Sequence, residues 1–572
     1  MIPRFESPPP RPFLGIRFLA PAVLLSVGAA VSAQATSSAL PPEAEVPALV
    51  LEGAYRHFEN RVEILVDHPR RVLVPPPGME AGMLVDMDPD LLDAWFRQSR
   101  PVGGRGALHL ARFRLLRADS PIGPEKLAEI RKLPGVLAAW YEPIPETPGG
   151  DIPPKTPDFT GRQGYRTAAP LGISEAAARV LLGGRGLGVQ VTDMESSWFV
   201  GHEDLSKLTN AAWIGTPSPG GAYYNHGTAV VGEICGDRNG YGITGIVDQV
   251  GLRVSPWKVG VANAISKAIA VSKKGDLILL EVHYRTSKGF VPAEYYSSNF
   301  NVIKTATSKG IHVVEAAGNG NNNLDDTTKF GRLFDLTYRD SGAIMAGATN
   351  GSRTARAGFS NYGKRITANG WGYSVTTTGY GKLFFPNLDK RQTYTATFNG
   401  TSSASPIVTG AVAALAGAVA YQNDRILTVN EVRSLLRKYG TPCTGTIGLR
   451  PDLKKLLAAV GLPDGLWATA PEAKVGGTLS LALQGKKGEV AVLFTGVALK
   501  KTSYGLNRSW HLDPGKQLFL GAKVLSGAKD SFPLPVPNLT ALKDLDLRFQ
   551  SFLVDPTTAG IRISSSTEVW LR

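Results

Sequence analysis

Cysteine is scarce in this chain, whose 572 residues include only Cys235 and Cys443. Two cysteines are too few for a disulfide scaffold, so hydrophobic cores must hold the fold together. The two thiols either form one bridge or stay apart, since the sequence does not give the distance between them. A chain of this length exceeds a single hydrophobic core and predicts about three or four folding units.

Long runs of like charge are also missing. Charged residues make up 19% of the chain and hydrophobic residues 43%, a composition typical of globular proteins. The net charge is +14, but the 62 Lys and Arg residues are scattered along the chain. Scattered positive charge indicates a basic surface that aids solubility rather than a nucleic-acid interface. We therefore expect no nucleic-acid partner.

The sequence also leads us to expect no apolar run that crosses a membrane. Near the start, three arginines precede an apolar run over residues 18–31, which ends in small residues. This pattern is typical of a signal peptide. The run is shorter than the roughly 20 residues that a membrane span needs, and Pro21 interrupts it. We predict a signal peptide over residues 1–33 and a secreted, periplasmic or cell-envelope location without an integral span, a retained anchor being the alternative.

Three segments with different patterns follow. Residues 34–160 mix short strands with helical runs and end in a linker rich in Pro and Gly, which predicts a small α+β domain. Residues 161–462 alternate apolar strands with helices, which predicts an α/β fold with a mostly parallel sheet covered on both faces. Residues 467–572 contain short strands separated by turns and predict a β-sandwich.

Four polar residues of the α/β segment stand where a ligand cleft is expected, near the carboxyl ends of strands and the starts of helices. Asp193 and Asn319 follow apolar strands. His226 and Ser402 stand at the starts of helices rich in small residues. Each residue alone has an ordinary explanation as a cap, a turn residue or a structural donor. Together they supply the nucleophile, base, orienting carboxylate and oxyanion donor that acyl transfer requires.

The motifs around these residues resemble those of the subtilisin-like serine peptidases, the subtilases. They read H-G-T at residues 226–228, A-A-G-N at 316–319 and G-T-S at 400–402, and the order Asp, His, Ser along the chain is that of subtilisin. The resemblance covers about residues 161–462. It implies a subtilisin-like fold for that segment.

The same resemblance implies a secreted serine endopeptidase that hydrolyses peptide bonds through an acyl-enzyme. Ser402 would be the nucleophile and His226 the general base. Asp193 would orient the imidazole, and Asn319 would stabilise the oxyanion. Residues 34–160 resemble a propeptide that assists folding and blocks the cleft until it is cut away by autoprocessing. The expected partners are protein or peptide substrates and the chain's own propeptide.

Two departures from the family pattern bear on the catalytic residues. Met194 and Glu195 follow Asp193, where the family usually has a small residue and Gly. Glu195 would repel the Asp193 carboxylate, bind a cation or point to solvent, and solvent is the default expectation. Ser403 replaces the Met that usually follows the nucleophile and is a rival candidate, although the G-T-S frame favours Ser402.

A third departure lies on the strand where the family usually presents Ser-Leu-Gly to the substrate as an added strand. This chain has Glu-Val-His at residues 281–283. His283 would reshape the cleft and Glu281 would favour basic substrate residues, unless either side chain faces the interior. We assign Glu281, His283, Ala317 and Gly318 to substrate binding and leave the specificity open.

No Asp-rich loop with the spacing of metal ligands is present in the sequence, so we assign no metal ligands. Structural Ca²⁺ is common in the resembling family, and the oxygen-rich candidates are Asp204, Asp237 and residues 321–326, which turns explain equally well. Two other functions are open. One is a catalytically silent binding protein, and the other is an acyl transferase or esterase that uses the same triad.

Overall fold

The computed structural model describes residues 57–66, 74–77, 79–83, 113–118, 122–143, 152–527, 529–538 and 542–572. The predicted signal peptide and a helix predicted over residues 89–97 lie outside these ranges. The chain divides into two compact units, Met1–Pro145 and Glu146–Arg572, and each is described by itself. The domain boundaries drawn from the sequence stay predictions.

The first unit contains a four-stranded antiparallel sheet and one described helix. Its elements are β1 (His57–Val66), β2 (Met79–Met83), β3 (Phe113–Ala118), α1 (Pro124–Arg131) and β4 (Val136–Pro143). The strand order is β2-β3-β1-β4. Leu127 and Ile130 of α1 pack in one cluster with Val62 and Ile64 of β1, so the helix covers one face of the sheet. This is the predicted α+β arrangement.

The second unit contains the remaining elements. The helices are α2 (Ala176–Arg179), α3 (Ser206–Thr209), α4 (Tyr224–Cys235), α5 (Val261–Val271), α6 (Ser297–Ser308), α7 (Thr327–Phe330), α8 (Thr401–Gln422), α9 (Val429–Lys438) and α10 (Leu453–Ala459). The strands up to residue 451 are β5 (Gln190–Glu195), β6 (Ala212–Trp213), β7 (Gly251–Pro256), β8 (Leu277–Leu280), β9 (His283–Thr286), β10 (Gly289–Pro292), β11 (His312–Ala316), β12 (Ile344–Thr349), β13 (Ala368–Trp371), β14 (Val375–Thr378), β15 (Tyr394–Phe398), β16 (Gly440–Pro442) and β17 (Leu449–Pro451).

Nine of these strands form one sheet in the order β16-β17-β13-β12-β11-β8-β5-β7-β6. All neighbouring pairs are parallel except β16 with β17, which confirms the predicted α/β fold. The apolar strands β8 and β11 are buried along their whole length, as a sheet covered on both faces requires. One difference from the prediction affects the site. The strand that Asp193 was predicted to follow includes Asp193 and continues to Glu195, because it pairs with β7 through Glu195 and with β8 through Met194.

Helix α8 lies in the centre of this unit and is buried along nearly its whole length. Among the described helices, it is the one long and apolar enough to cross a membrane, but it is a core helix here. Its small residues allow close backbone contacts. A Cβ on Gly410 would lie 2.8 Å from Ile246 Cβ, and a Cβ on Gly417 would overlap the carbonyl oxygen of Gly183.

Residues 466–571 form the predicted β-domain. Its strands are β18 (Leu466–Ala468), β19 (Glu472–Ala473), β20 (Thr478–Leu483), β21 (Val490–Gly496), β22 (Leu499–Thr502), β23 (Trp510–Leu512), β24 (Leu518–Val524), β25 (Asp530–Pro535), β26 (Asp546–Asp555), β27 (Gly560–Ile563) and β28 (Thr567–Leu571). The main sheet has the order β19-β28-β26-β21-β24, with β27 on β26, and a smaller sheet has the order β18-β20-β25. Leu481 of the smaller sheet and Leu493 of the main sheet share one core with Leu415 of α8.

Buried charges also join the β-domain to the α/β segment. The Arg185 guanidinium contacts Asp248 of the α/β segment, and its Nη1 lies 2.5 Å from Glu568 and 3.1 Å from Asp546 of the β-domain. Removing one member of such a buried network leaves an uncompensated charge. The β-domain is therefore part of the same compact unit. Cys235 and Cys443 are both free thiols, so the alternative of one disulfide is wrong.

We expect Gly417→Ala to destabilise the second unit, because the added methyl group meets the Gly183 carbonyl in a packed core. Overpacking of this kind costs about 1–3 kcal/mol. Urea unfolding of the full chain in a Ser402→Ala background measures the change. The matched control is Gly161→Ala, whose Cβ would have no neighbour within 4 Å. Equal midpoints for the two variants would contradict the close approach of α8 to residue 183.

Candidate active site

A cleft of about 350 Å³ lies where β8 and β11 end and α4 and α8 begin. It is lined by His226, Glu281, Val282, His283, Ala316, Asn319, Tyr380, Lys382, Thr395, Thr397, Phe398, Asn399 and Ser402. The structure thus brings together three of the four predicted catalytic residues. The fourth, Asp193, lies behind the cleft and does not line it.

The carboxylate bonded to His226 is Glu195. His226 stands in the first turn of α4, and its Nδ1 lies 2.5 Å from Glu195 Oε1 at the end of β5. Glu195 is only 3% exposed, so the expectation that it points to solvent is wrong. The prediction that Asp193 orients this imidazole also differs from the observed geometry, because the ring nitrogen meets a different carboxylate.

Asp193 is hydrogen-bonded to Trp198, a residue that was not predicted to take part in the site. Trp198 Nε1 donates a hydrogen bond of 2.7 Å to Asp193 Oδ2. The indole reaches this position because residue 227 is glycine, whose Cβ would lie 2.8 Å from Trp198 Cδ1. Asp193 Oδ1 is buried and has no partner among the described residues.

The period of a β-strand explains why Glu195 substitutes for Asp193. Side chains two residues apart in a strand point to the same face of a sheet, so both carboxyl groups lie on the face that carries α4. Glu195 is nearer to the end of β5 and has one more methylene group. It therefore reaches the imidazole at the cleft, while Asp193 stays deeper. The alternation of residues 193 and 195 along a strand could have predicted this contact from the sequence. It was missed because the strand was predicted to end before Asp193.

The structure separates the two candidate nucleophiles. Ser402 lies in the first turn of α8 and lines the cleft. Ser403 is fully buried, and its hydroxyl lies 2.9 Å from the carbonyl oxygen of Trp371, to which it donates. Ser403 is therefore inaccessible to a ligand. Within the described structure no hydrogen bond joins Ser402 to His226, and such contacts often tighten only when substrate binds.

Asn319 is held with its amide nitrogen available for the cleft. Its Oδ1 accepts hydrogen bonds from the backbone nitrogen of Thr401 at 2.9 Å and from Thr401 Oγ1 at 3.0 Å. This pairing identifies the oxygen side of the amide. A Cβ on Gly400 would lie 3.2 Å from Asn319 Nδ2. The nitrogen therefore lies beside the turn that leads into Ser402.

Two of the predicted substrate-binding side chains line the cleft, and neither is confined to a loop interior. Glu281 follows β8, and its Oε1 lies 2.5 Å from Ser405 Oγ. His283 stacks on Phe290 with ring centroids 4.2 Å apart. Its Nδ1 accepts a weak hydrogen bond of 3.4 Å from the backbone of Asn319.

The other two predicted substrate-binding residues have structural contacts. The Ala317 side chain is buried in a hydrophobic cluster with Val291 and Met345 and does not line the cleft. The backbone nitrogen of Gly318 donates to Thr401 Oγ1 at 3.2 Å. Gly318 adopts φ +93°, a backbone conformation that favours glycine.

His226 and Glu281 belong to a cluster that contains four buried carboxyl groups. These carboxyl groups belong to Asp193, Glu195, Glu233 and Glu281, and burial is the main cause that raises the pKa of each well above its ordinary value. Burial also lowers the pKa of His226. Among the described residues, none of the four carboxyl groups forms an ion pair with Lys or Arg. Burial without a cationic partner therefore disfavours simultaneous ionisation of all four groups.

Two of the residues named as Ca²⁺ candidates, Asp204 and Asp237, accept hydrogen bonds from neighbouring residues, and the Ca²⁺ expectation stays a prediction. Asp204 accepts hydrogen bonds from Asn239 and from the backbone of Ile243, and Asp237 accepts two from Ser206. In the part of the chain that the structure describes, no group of three His, Cys, Asp or Glu side chains is placed to hold a metal ion. Turn and loop contacts account for these oxygen atoms.

The sequence of the second unit is similar to the sequences of known proteins. Residues 187–442 match the profile of the Subtilase family, Peptidase_S8. The chain is 29% identical over 254 residues to the alkaline elastase YaB of Bacillus sp. (strain YaB), covering 43% of this chain and 59% of that protein. It is 28% identical over 268 residues to the extracellular serine proteinase of Thermus sp. (strain Rt41A), covering 45% and 56%. The chain thus spans a little over half the length of these curated relatives.

Solved structures of similar proteins were also found. One is a protease from Pseudoalteromonas arctica PAMC 21717, with 21% identity, a TM-score of 0.40 and coverage of 54% of this chain and 99% of that chain. Another is the Aeromonas sobria serine protease in complex with the chaperone ORF2, with 16% identity, a TM-score of 0.41 and coverage of 72% and 94%.

Proposed function

Since residues 187–442 match the Subtilase family, we propose that the protein is a serine endopeptidase that hydrolyses peptide bonds through an acyl-enzyme. The observation that carries the proposal is the hydrogen bond between His226 Nδ1 and Glu195 in a cleft that also contains Ser402 and Asn319. A silent binding protein would not need a nucleophile, a base and an oxyanion donor in one cleft.

In the proposed reaction, His226 accepts the proton of Ser402 while the hydroxyl oxygen attacks the peptide carbonyl. This requires a free lone pair on Nε2 and therefore a proton on Nδ1. Glu195 accepts the hydrogen bond from that Nδ1–H and stabilises the imidazolium that forms. His226 then donates the proton to the leaving amine, and water releases the acyl group by the reverse sequence.

Negative charge on the tetrahedral intermediate is stabilised in two ways. Asn319 Nδ2 donates to the oxyanion, with the amide held in place by Thr401. Ser402 also lies in the first turn of the 22-residue helix α8, where the helix dipole favours negative charge. Both groups are positioned before substrate arrives, which is the condition for effective electrostatic stabilisation.

We also propose that the enzyme is exported and matures by cutting its own precursor. The names of two relatives, an extracellular serine proteinase from Thermus and an extracellular protease from Xanthomonas campestris pv. campestris, support export. The amino-terminal signal pattern agrees with it. The α+β unit that ends at Pro145 then acts as the propeptide, and peptide or protein chains are the substrates.

Labelling with a fluorophosphonate tests the nucleophile. We expect the secreted wild-type protein to be labelled and to be shorter than its precursor, because Ser402 reacts and carries out maturation. Ser402→Ala abolishes labelling and leaves the precursor uncut, and a gel reads both results. The matched control is Ser403→Ala, which removes a buried hydroxyl and leaves labelling in place. Labelling that follows Ser403 instead of Ser402 would overturn the assignment.

The orienting carboxylate is tested by a pair of isosteric variants. Glu195→Gln removes the acceptor that selects the reactive tautomer of His226, so we expect kcat/KM to fall by about 10⁴-fold, as in triads that lose this group. Asp193→Asn keeps an oxygen for the Trp198 N–H and should lower kcat/KM by less than about tenfold. Peptide hydrolysis by purified, processed enzyme measures both. The reverse order of losses would return the orienting role to Asp193.

The oxyanion donor is tested by Asn319→Ala. We expect kcat to fall about 10²- to 10³-fold with little change in KM, because the lost donor acts only in the transition state. Steady-state kinetics on one peptide substrate distinguish the two constants. A loss confined to KM would show that Asn319 binds the substrate and does not stabilise the oxyanion.

A further inference from the structure

The hydroxyl group of Ser405 lies between two acceptor oxygens. Ser405 Oγ is 2.7 Å from the carbonyl oxygen of Thr401, one turn earlier in α8, and 2.5 Å from Glu281 Oε1. A hydroxyl group has one proton and can fully satisfy only one of these acceptors. If Ser405 donates to the carbonyl, the proton in the second short contact must come from Glu281.

Burial supports this direction of donation. Glu281 is 6% exposed, and its Oε2 is buried without a partner among the described residues. An ionised carboxylate with one unpaired oxygen and no cation partner is costly in such a place. A neutral carboxylic acid has one O–H group, and Ser405 Oγ can accept a hydrogen bond from it.

We propose that Glu281 acts as a neutral carboxylic acid, a positioning residue that holds the first turn of α8 and leaves the negative charge of the buried cluster on Glu195. This inference rests on the proposed peptidase function. It also gives Glu281 a role other than direct selection of basic substrate residues, since its proton is used inside the protein.

A series of hydrogen bonds connects Glu281 with Asn319, the proposed oxyanion donor. Ser405 Oγ contacts both Glu281 Oε1 and the carbonyl oxygen of Thr401. In the proposed state the neutral Glu281 carboxyl donates to Ser405, and Ser405 donates to that carbonyl. The backbone N–H and hydroxyl of the same Thr401 hold Asn319 Oδ1. A proton on Glu281 therefore supports the orientation in which Asn319 Nδ2 is available to the oxyanion.

The charge state of Glu281 also affects the general base. The titratable groups around Glu281 are Asp193 and Glu195 from β5 and His226 and Glu233 from α4. His283, Tyr380 and Lys382 line the same cleft as Glu281. Ionised Glu281 would favour the imidazolium form of His226 and compete with the charge on Glu195. His226 would then be a poorer base. Burial raises the pKa of Glu281, which keeps the neutral form over a wider range of pH.

Two limbs of the pH profile follow from this arrangement. Activity is lost at low pH as His226 becomes protonated. Activity is lost again at high pH, when Glu281 loses its proton and no longer donates to Ser405. Glu281→Gln keeps a donor of similar shape that does not ionise. Because it replaces one neutral group by another, the variant leaves the acid limb in place and moves the alkaline limb upward.

The first test is the pH dependence of kcat/KM for processed wild-type enzyme and Glu281→Gln on one peptide. We expect coincident acid limbs and an alkaline limb at least about one pH unit higher in the variant than in the wild type. Glu472→Gln, outside the cleft on β19, is the control with both limbs unchanged. An acid limb shifted to lower pH would show that Glu281 is ionised in the wild type, and an unmoved alkaline limb would show that its proton is not titrated. Either result overturns the proposal.

The second test needs no activity and compares Ser402→Ala with Ser402→Ala/Glu281→Gln by infrared difference spectroscopy at neutral pH. We expect the added substitution to remove the C=O band of a protonated carboxylic acid. Loss of a carboxylate band instead would overturn the proposal. An inactive wild type with the protonated band present would contradict the peptidase function and leave the protonation of Glu281 supported, so the two failures are distinguishable.

Discussion

The packing of α8 through the centre of the second unit is the constraint on which the rest of that unit depends. The helix is rich in Ala and Gly, so its backbone lies close to the sheet and to the turn at Gly183. Its first turn contains Thr401 and Ser402, and Ser405 lies one turn later. The close packing that stabilises the core therefore also determines the position of Ser402, the proposed nucleophile, and of Thr401, which holds Asn319.

Burial of carboxyl groups beside α8 is the second determinant of the site. A parallel sheet covered by helices excludes water from the side chains on its faces, and β5 brings Asp193 and Glu195 to the face on which α4 lies. Without Lys or Arg partners in the described structure, ionisation of both groups is costly, and they accept hydrogen bonds from Trp198 and His226. The imidazole consequently contacts one carboxyl group within a cluster of acids whose pKa values are raised by burial.

Much of the fold and part of the site were predictable. Apolar strands alternating with helices indicated the parallel sheet, because buried strands need helices on both faces. The motifs at His226, Asn319 and Ser402 indicated three members of the site because each stands at the end of a strand or the start of a helix. The contact between His226 and Glu195 was not predicted, since a family pattern aligns Asp193 by position and carries no information on how far β5 continues.

The sequence by itself determined the order of the elements and the types of chemical group available at their ends. Tertiary structure decided which groups meet. Asp193 and Glu195 share a face of β5, so only the depth of each residue and the length of its side chain select the partner of His226. Likewise, the contact between Glu281 and Ser405 joins residues 124 positions apart. Such contacts depend on how the segment after β8 and helix α8 are positioned relative to each other, and local sequence patterns do not encode that position.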